Sequence, residues 1–324
     1  MLRAFLLSLS FLLSGLASAA PLTVLNRPLD LDTGNGVLHG TLLLPQSDQP
    51  VPIALLVAGS GPTDRDGNNP FAGRNDSLKR LARALATQGI ATLRYDKRGI
   101  AASRAAEPDE RQLSVDGYVD DVVAWSRLLA ADPRFGPLVL IGHSEGALIA
   151  TLAAERAGAT ALVSIAGAAR PIDQVLREQL RSRLPQPLLA QSEALIASLQ
   201  AGRTVDRVPV ELEVLFRPSV QPYLISLFRN DPAAAFARLR IPALIVQGNH
   251  DIQVSVADAE ALKAARPDAE LLLIPGMNHV LRIVPADIRK QLASYDQPEL
   301  PLARQLIDGI LDFLRRHLSD SPSS

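Results

Sequence analysis

Apolar residues in this chain occur in two patterns, as short unbroken runs and as longer stretches with helical spacing. Short runs that are rich in branched side chains and bounded by glycine, proline or polar residues are typical of buried strands. The runs that predict strands are Leu22–Leu25, Val37–Leu44, Pro52–Ala58, Ile90–Tyr95, Leu138–Ile141, Ala161–Ile165, Ile241–Val246 and Glu270–Ile274.

Stretches with an apolar residue every three or four positions separate many of these runs and predict helices. Predicted helices begin at Asp76 or Ser77, at Ser114, after Gly146 and near Val254, and a last one covers Pro301–Leu318. Strands that alternate with helices through short turns indicate a parallel sheet covered on both faces.

The alternation stops after Ala166 and resumes at Ile241. The interval contains prolines and three predicted helices, Ile172–Leu184, Leu188–Leu199 and Val220–Phe228. We therefore predict an α/β core formed by residues 20–169 and 236–319, with residues 170–235 inserted into it as a helical cap.

The stretch from Leu138 to Ala150 combines a buried strand, the pattern Gly-x-Ser-x-Gly and the start of a helix. Gly142 and Gly146 remove side chains on both sides of Ser144, which permits a tight turn that exposes the serine hydroxyl. An ordinary strand-to-helix turn that happens to contain a serine is the alternative. Because strand and helix both flank the pattern, we predict that Ser144 is a nucleophile.

A serine hydroxyl needs a base to take its proton, and the base needs an acid to orient it. In a parallel sheet such groups lie on loops at the carboxyl ends of strands. Asp251 follows a late predicted strand, and His279 follows the last one. We predict a triad of Ser144, Asp251 and His279, because this choice takes acid and base from different strands.

Other residues compete for these two roles. His250 is the main rival as base, because it adjoins Asp251 on a suitable loop. His143 is too close to Ser144 in sequence, His39 lies in an early strand and His317 lies on the terminal helix. Asp258, the rival acid, is predicted to lie on a helix face.

A developing oxyanion needs two backbone N–H groups, and we predict those of Glu145 and Ser60. Glu145 follows the nucleophile, and Ser60 lies in the flexible sequence Gly59-Ser-Gly61 after the strand Pro52–Ala58. The same loop lacks the P-loop and dinucleotide patterns. Its Asp64-x-Asp66-x-Asn68 resembles the start of a calcium loop, but the glycine and the twelfth residue are wrong for one, so we assign no metal.

Apolar residues of the predicted cap are candidates for the lining of an acyl pocket. The candidates are Leu215, Phe216, Tyr223, Leu227 and Phe228. Because apolar residues at helical spacing more often belong to a core, a purely structural role is the alternative.

The amino-acid composition excludes several classes of function for this chain. The chain has 324 residues, a net charge of −1 and no cysteine. The balanced charge offers no electrostatic case for nucleic acid or an anionic membrane as partner. The absence of cysteine excludes disulfides and thiolate chemistry, and it is compatible with an oxidising compartment. The oligomeric state is left open.

Residues 1–19 have the pattern of a signal peptide, with Arg3, an apolar stretch and then Ala17-Ser18-Ala19 as a cleavage site. A membrane anchor is the rival, but the apolar run is shorter than the roughly 20 residues that a spanning helix needs. We therefore predict export to the periplasm or medium, without stable membrane insertion. Residues 320–324 are predicted to be a disordered tail.

Five motifs in order resemble the α/β-hydrolase superfamily over residues 22–318. They are Gly142-His-Ser-Glu-Gly146, Gly59-Ser-Gly-Pro-Thr-Asp64, Asp96-x-Arg98-Gly99, Gly248-x-x-Asp251 and Gly276-x-Asn278-His279. The chain is most similar to bacterial serine hydrolases of the dienelactone-hydrolase-like and serine-aminopeptidase-like branches. The resemblance implies an eight-stranded, mostly parallel sheet, a lid after the sixth strand, no cofactor and hydrolysis of carboxylic esters.

Two positions depart from the resemblance. Ser144 stands where dienelactone hydrolases carry cysteine, which argues against that substrate. Ala101 stands where a glycine often follows the Arg-Gly pair, so we assign the Asp96–Gly99 loop no catalytic role.

Together these features predict an exported carboxylesterase that acts through an acyl-enzyme on small-molecule acyl esters. A peptidase or amidase with the same triad is the first alternative. A pocket for a free amino terminus would need carboxylates in the cap, and the available ones are Glu178, Glu193, Glu211 and Glu213. A non-catalytic ligand-binding relative is the second alternative, which an intact triad disfavours.

Overall fold

The computed structural model describes residues 22–181 and 183–318. The predicted signal peptide (residues 1–19) and the predicted tail (residues 320–324) lie outside the described residues and stay predictions. Within the described ranges, no helix combines the length and the apolar character needed to cross a membrane.

A single eight-stranded sheet lies at the centre of the described chain, with strand order β1-β2-β4-β3-β5-β6-β7-β8. The strands are β1 (Val24–Asp32), β2 (Val37–Pro45), β3 (Val51–Val57), β4 (Ala91–Tyr95), β5 (Phe135–His143), β6 (Ala161–Ile165), β7 (Ala243–Gly248) and β8 (Glu270–Ile274). β2 pairs antiparallel with β1 and with β4, and all other neighbours are parallel. The predicted mostly parallel sheet is therefore confirmed.

The first strand differs from its prediction over Leu22–Leu25, because β1 runs from Val24 to Asp32. It pairs with β2 along this whole length and has no partner on its other side among the described residues. An edge strand tolerates Pro28 and exposed polar residues. The sequence-based prediction therefore covered only the beginning of this strand.

The α-helices of the described chain are α1 (Ser77–Ala86), α2 (Val115–Ala130), α3 (Glu145–Ala153), α4 (Ile172–Arg181), α5 (Gln186–Gln200), α6 (Glu213–Phe216), α7 (Gln221–Phe228), α8 (Pro232–Ala237), α9 (Val256–Ala265), α10 (Ile288–Ala293) and α11 (Arg304–Leu318). Short 3₁₀ segments occur at Ala101–Ala106, Glu110–Gln112, Val210–Leu212 and Ser294–Asp296. The predictions missed α6, α8 and α10, which are too short to show a helical period.

Two apolar cores lie on opposite faces of the sheet, because successive strand residues point to opposite sides. On β5, Leu140 packs with α2, α3 and α9. Its neighbours Val139 and Ile141 pack with α1 and α11 on the other face. Strands β3, β5, β7 and β8 are parallel, so the loops that carry the candidate residues leave the same edge of the sheet.

Helices α4 to α8 lie between β6 and β7, in the interval where the cap is predicted. They have a small apolar core of their own, which includes Leu180, Leu199, Leu212 and Phe216. Phe216 is fully buried in that core, and Phe228 packs against it. This apolar cluster is compatible with the predicted cap over residues 170–235.

The cap core predicts a stability effect for Phe216→Ala. Removing a fully buried ring should lower the free energy of unfolding by about 3–5 kcal/mol, from lost burial plus the cavity left behind. Phe71→Ala is the matched control, because that ring is 89% exposed. Urea unfolding should give a clearly lower midpoint for Phe216→Ala only, and equal midpoints for the two variants would contradict the cap core.

Candidate active site

Ser144 lies in the tight turn between β5 and α3, with a positive φ of 56° and ψ of −123°. A Cβ at Gly142 would lie 2.2 Å from the Gly146 carbonyl oxygen, and one at Gly146 would lie 2.2 Å from the Val57 oxygen. Neither glycine can therefore carry a side chain. The Ser144 N–H donates to the Ile165 carbonyl at 2.9 Å, which ties the turn to β6.

Asp251 and His279 are hydrogen-bonded to each other, with 2.8 Å between Asp251 Oδ2 and His279 Nδ1. Both side chains are almost completely buried. A carboxylate can only accept, so Nδ1 carries the proton and Nε2 is the basic atom of the neutral ring. The loops after β7 and β8 thus bring the predicted acid and base together.

Several groups hold Asp251 in its ionised form. Its Oδ1 accepts from the N–H groups of Gln253 at 2.7 Å and Val254 at 3.0 Å, and its Oδ2 also accepts from Gln247 Nε2 at 3.3 Å. Burial alone would raise the pKa of Asp251. The His279 ring and the two backbone N–H groups outweigh burial, so the pKa of Asp251 is lowered.

His143 has a role that its sequence position did not suggest. Its Nε2 lies 2.8 Å from the His279 carbonyl oxygen, and the two rings are 4.8 Å apart. Burial first, and then the neighbouring His279, lower the pKa of His143 to about 3. The neutral ring therefore donates from Nε2 and holds the backbone of the candidate base beside the Ser144 turn.

The other three histidines have different partners. His250 Nδ1 lies 2.6 Å from the Val284 carbonyl oxygen, so the ring of the rival base is engaged away from Asp251. His39 pairs with Asp30, and His317 pairs with Glu270. Among the described histidines, only His279 contacts the candidate acid through its ring.

Ser60 and Glu145, whose N–H groups are the predicted oxyanion donors, line the same cavity as Ser144. Within the described chain neither N–H donates a hydrogen bond to the protein. A Cβ at Gly59 would lie 3.2 Å from Ser144 Cβ, so the Gly59–Ser60 peptide adjoins the nucleophile. Both donors are thus available next to Ser144 for a developing negative charge.

A cavity of about 380 Å³ opens above Ser144. Its floor includes Ser60, Ser144 and Glu145, which brings three of the predicted residues to one surface. The remaining lining combines apolar and polar residues: Leu148, Ala168, Arg170, Ile172, Val175, Gln179, Arg183, Leu227, Asn230, Pro232, Ile252, Gln253, Val254 and Asp258.

The predicted pocket residues of the cap require a correction. Leu227 lines the cavity, and the Tyr223 hydroxyl donates to Glu145 Oε1 at 2.5 Å. Phe216 and Phe228 instead pack in the cap core, and Leu215 is 39% exposed. Of the five predicted residues, Leu227 alone lines the cavity in the described chain, and Leu215, Phe216, Tyr223 and Phe228 do not.

Asp258 lies on helix α9, as predicted, and it is buried there, with 3% of its surface exposed. It forms a capping box with Ser255 at the start of α9 and accepts from Ala169 N–H and Arg170 Nε, both at 3.2 Å. It therefore ties the entrance of the cap to the core. Burial of this kind has no signature in a local sequence window.

The calcium-like loop is held by hydrogen bonds instead. Asp64 Oδ1 accepts from the N–H groups of Asp66 and Asn68 at 2.9 and 2.8 Å, and Asp66 pairs with Arg94 at 2.9 Å. Within residues 22–181 and 183–318, no group of three or more potential ligand side chains is placed to hold a metal.

Comparison with known proteins places the site in context. The family model described as Serine aminopeptidase, S33 matches residues 71–283, which include Ser144, Asp251 and His279. Esterase EstD of Thermotoga maritima is 32% identical over 253 residues, 77% of this chain. The match spans 59% of the length of EstD.

A second relative is the 2-(acetamidomethylene)succinate hydrolase of Mesorhizobium japonicum, 26% identical over 61% of this chain and 74% of that protein. Among solved structures, Est1E from Butyrivibrio proteoclasticus with bound ferulic acid superposes with a TM-score of 0.61. It is 17% identical and covers 90% of this chain and 100% of that one, so it shows a shared fold.

The geometry predicts that Ser144→Ala, Asp251→Asn and His279→Ala keep the fold but lose activity. Groups that act as one unit should each cost roughly 10⁴-fold or more in kcat, and double variants should be little worse than single ones. Ester hydrolysis and labelling by an active-site phosphonate are the measurements. His250→Ala is the matched control, and an inactive His250→Ala beside an active His279→Ala would reverse the assignment of the base.

Proposed function

This chain belongs to the serine aminopeptidase S33 family of α/β hydrolases, and from that premise we propose that it is an exported carboxylesterase acting through an acyl-enzyme. One observation carries the proposal. Ser144 occupies a strained turn at the floor of a cavity, with unpaired N–H groups beside it. The buried Asp251–His279 pair is linked to the same turn through His143.

In this mechanism Ser144 Oγ attacks the ester carbonyl while His279 Nε2 takes the hydroxyl proton. The C–O double bond becomes a single bond, and its oxygen gains a negative charge that the N–H groups of Ser60 and Glu145 stabilise. Collapse of this intermediate breaks the ester C–O bond, and His279 returns the proton to the departing alcohol. Water then repeats the sequence on the acyl-enzyme and releases the acid.

Asp251 orients His279 for this proton transfer. Its carboxylate fixes the Nδ1–H tautomer of His279 and stabilises the imidazolium that forms during attack. A carboxylate with a lowered pKa stays ionised at neutral pH, which this role needs. His143 is a positioning residue, because it contacts the backbone of His279 rather than the reacting atoms.

The cavity supports acyl groups of small to medium size. Its volume of about 380 Å³ is at the lower end of the range for small-molecule sites. The apolar side chains Val175, Leu227 and Val254 can bury an acyl chain beside Ser144. EstD is named an esterase, which supports an ester as the substrate.

The peptidase alternative has less support from the site. Glu178 pairs with Arg170, and Glu193 pairs with Arg177. Glu211 and Glu213 are exposed. None of these four carboxylates belongs to the cavity lining within the described residues. An amino terminus bound in the cavity would therefore meet none of these four carboxylates, which favours esters over peptides.

Hydrolysis of a series of acyl esters, alongside aminoacyl amides, tests the proposed function. Turnover of esters, together with phosphonate labelling of Ser144, supports it. Faster turnover of the amides would favour the peptidase. Absence of both turnover and labelling would indicate a ligand-binding relative.

The cavity lining predicts control of acyl length by Val175→Phe. A larger side chain there should narrow the cavity, so kcat/KM for medium acyl esters should fall relative to acetate esters. A hydrophobic pocket discriminates one methylene by about 1–3 kcal/mol, so the expected change is graded, at 10-fold or more. Val214→Phe is the control, because Val214 is 81% exposed on α6. An unchanged ratio in Val175→Phe would show that Val175 does not limit the acyl group.

Export is proposed from residues 1–19 and has its own test. Protein recovered from an exporting host should begin at Ala20 or close to it, as determined by intact-mass measurement. Replacement of the apolar stretch Ala4–Leu16 by polar residues should leave the precursor uncleaved. If the protein that carries its native signal sequence is recovered with Met1 intact, export is contradicted. Retention of the protein in the membrane fraction would contradict it as well.

A further inference from the structure

Lys97 is a buried cation for which the mechanism above has no use. It follows β4 in the sequence Asp96-Lys97-Arg98-Gly99 and is 1% exposed. Burial lowers its pKa, while the charge of Glu145 acts in the opposite direction. A buried ammonium group is costly unless it is well coordinated, so its contacts need an explanation.

Two of these contacts are backbone carbonyls of the oxyanion loop, here defined as Gly59–Gly61. Lys97 Nζ donates a short hydrogen bond to the Gly59 carbonyl and a second one to the Gly61 carbonyl at 3.3 Å. The Tyr118 ring lies beneath the same ammonium, 5.4 Å from Nζ to the ring centroid. The charge is therefore aimed at the loop that carries Ser60.

The Gly59 carbonyl and the Ser60 N–H are the two ends of one peptide group. Peptides of the described residues are trans, so in this planar unit the N–H points away from the C=O. A cation that holds the carbonyl end therefore also sets the direction of the N–H at the other end. That peptide adjoins Ser144, and Ser60 lines the cavity.

Lys97 also affects the strength of this donor. A hydrogen bond to one end of an amide polarises the group, and a positive charge does so more strongly than a neutral donor. The Ser60 carbonyl is anchored separately, because Thr63 Oγ1 donates to it at 2.7 Å. The two peptide groups that flank the Ser60 Cα are thus each held by a hydrogen bond.

Other residues at the end of β4 hold the following part of the same loop. Arg94 pairs with Asp66, and Asp96 accepts from the Arg65 N–H at 2.7 Å. Because β3 and β4 are adjacent parallel strands, the end of β4 lies directly beside the loop that leaves β3. Lys97 is the member of this set that reaches the carbonyls flanking Ser60.

We propose that Lys97 is a positioning residue for catalysis, which orients and polarises the Gly59–Ser60 peptide so that the Ser60 N–H binds the oxyanion. The inference rests on the proposed function, since an oxyanion forms only if the chain performs acyl transfer. The alternative is that Lys97 only fills the space under the loop.

Lys97→Met tests the proposal, because methionine keeps much of the length and removes the charge and the donors. Removal of a whole oxyanion donor costs about 10²–10³ in kcat, so loss of its orientation and polarisation should cost about 10- to 100-fold. KM should change little. Affinity for a trifluoromethyl ketone, which adds to Ser144 as a tetrahedral oxyanion, should fall by the same factor as kcat/KM.

Lys263→Met is the matched control. Lys263 Nζ also donates to two backbone carbonyls, those of Pro267 at 2.8 Å and Ala269 at 2.6 Å, but on α9 and the loop that follows it. This variant loses the same kind of contact and should keep parental kcat and ketone affinity. An equal loss in both variants would assign the effect to general destabilisation and overturn the proposal.

If Lys97→Met does not fold, a second variant at the same position tests the proposal. Lys97→Gln can still donate to a carbonyl but has no charge, so we expect a smaller, parallel fall in kcat/KM and ketone affinity. Parental kcat in either folded variant, or a lower kcat with unchanged ketone affinity, would refute the role of Lys97. Failure of the proposed function would appear differently, as a parent protein that neither hydrolyses esters nor reacts with phosphonate.

Discussion

The close approach of backbone at the Ser144 turn is the constraint on which the rest of the site depends. The helix that follows Ser144 crosses β3 so tightly that Gly146 has no room for a Cβ under the Val57 carbonyl. This packing holds Ser144 at a positive φ that costs a non-glycine residue about 1–3 kcal/mol. The sheet and its two apolar cores hold both ends of the turn in place, so the strained conformation of Ser144 is maintained. In consequence Ser144 lines the cavity, and the adjoining N–H groups have no hydrogen-bond partner among the described residues.

The loops at the carboxyl edge of the sheet stabilise one another as well as the turn. His143 holds the backbone of His279, the β7 loop surrounds Asp251 with N–H donors, and the end of β4 holds the loop after β3. The contacts of His143 and of the end of β4 join segments distant in sequence, whereas the N–H donors to Asp251 come from its own loop. Electrostatic stabilisation by fixed dipoles requires such rigidity, because a donor that must first reorient has already lost part of its effect.

The cap has a different physical basis from the core. Its helices bury a small apolar cluster of their own, and they contact the core through apolar packing of Leu227 and through polar links such as Tyr223 with Glu145 and Arg170 with Asp258. A cavity lies between this separately packed cap and the rigid floor that contains Ser144. Substitutions in the cap lining can therefore alter the shape of the cavity while the floor keeps its geometry.

The sequence alone determined the features that follow from local patterns. Apolar runs and helical spacing predicted the strands of the parallel sheet, because strand and helix periods are local properties. Glycines around Ser144 and the order of Asp251 and His279 predicted the site. Tertiary structure alone decided the roles of Lys97, His143 and Asp258, whose partners lie many residues away. It also decided that Phe216 belongs to a cap core, since helical periodicity shows that a face is buried but not what it is buried against.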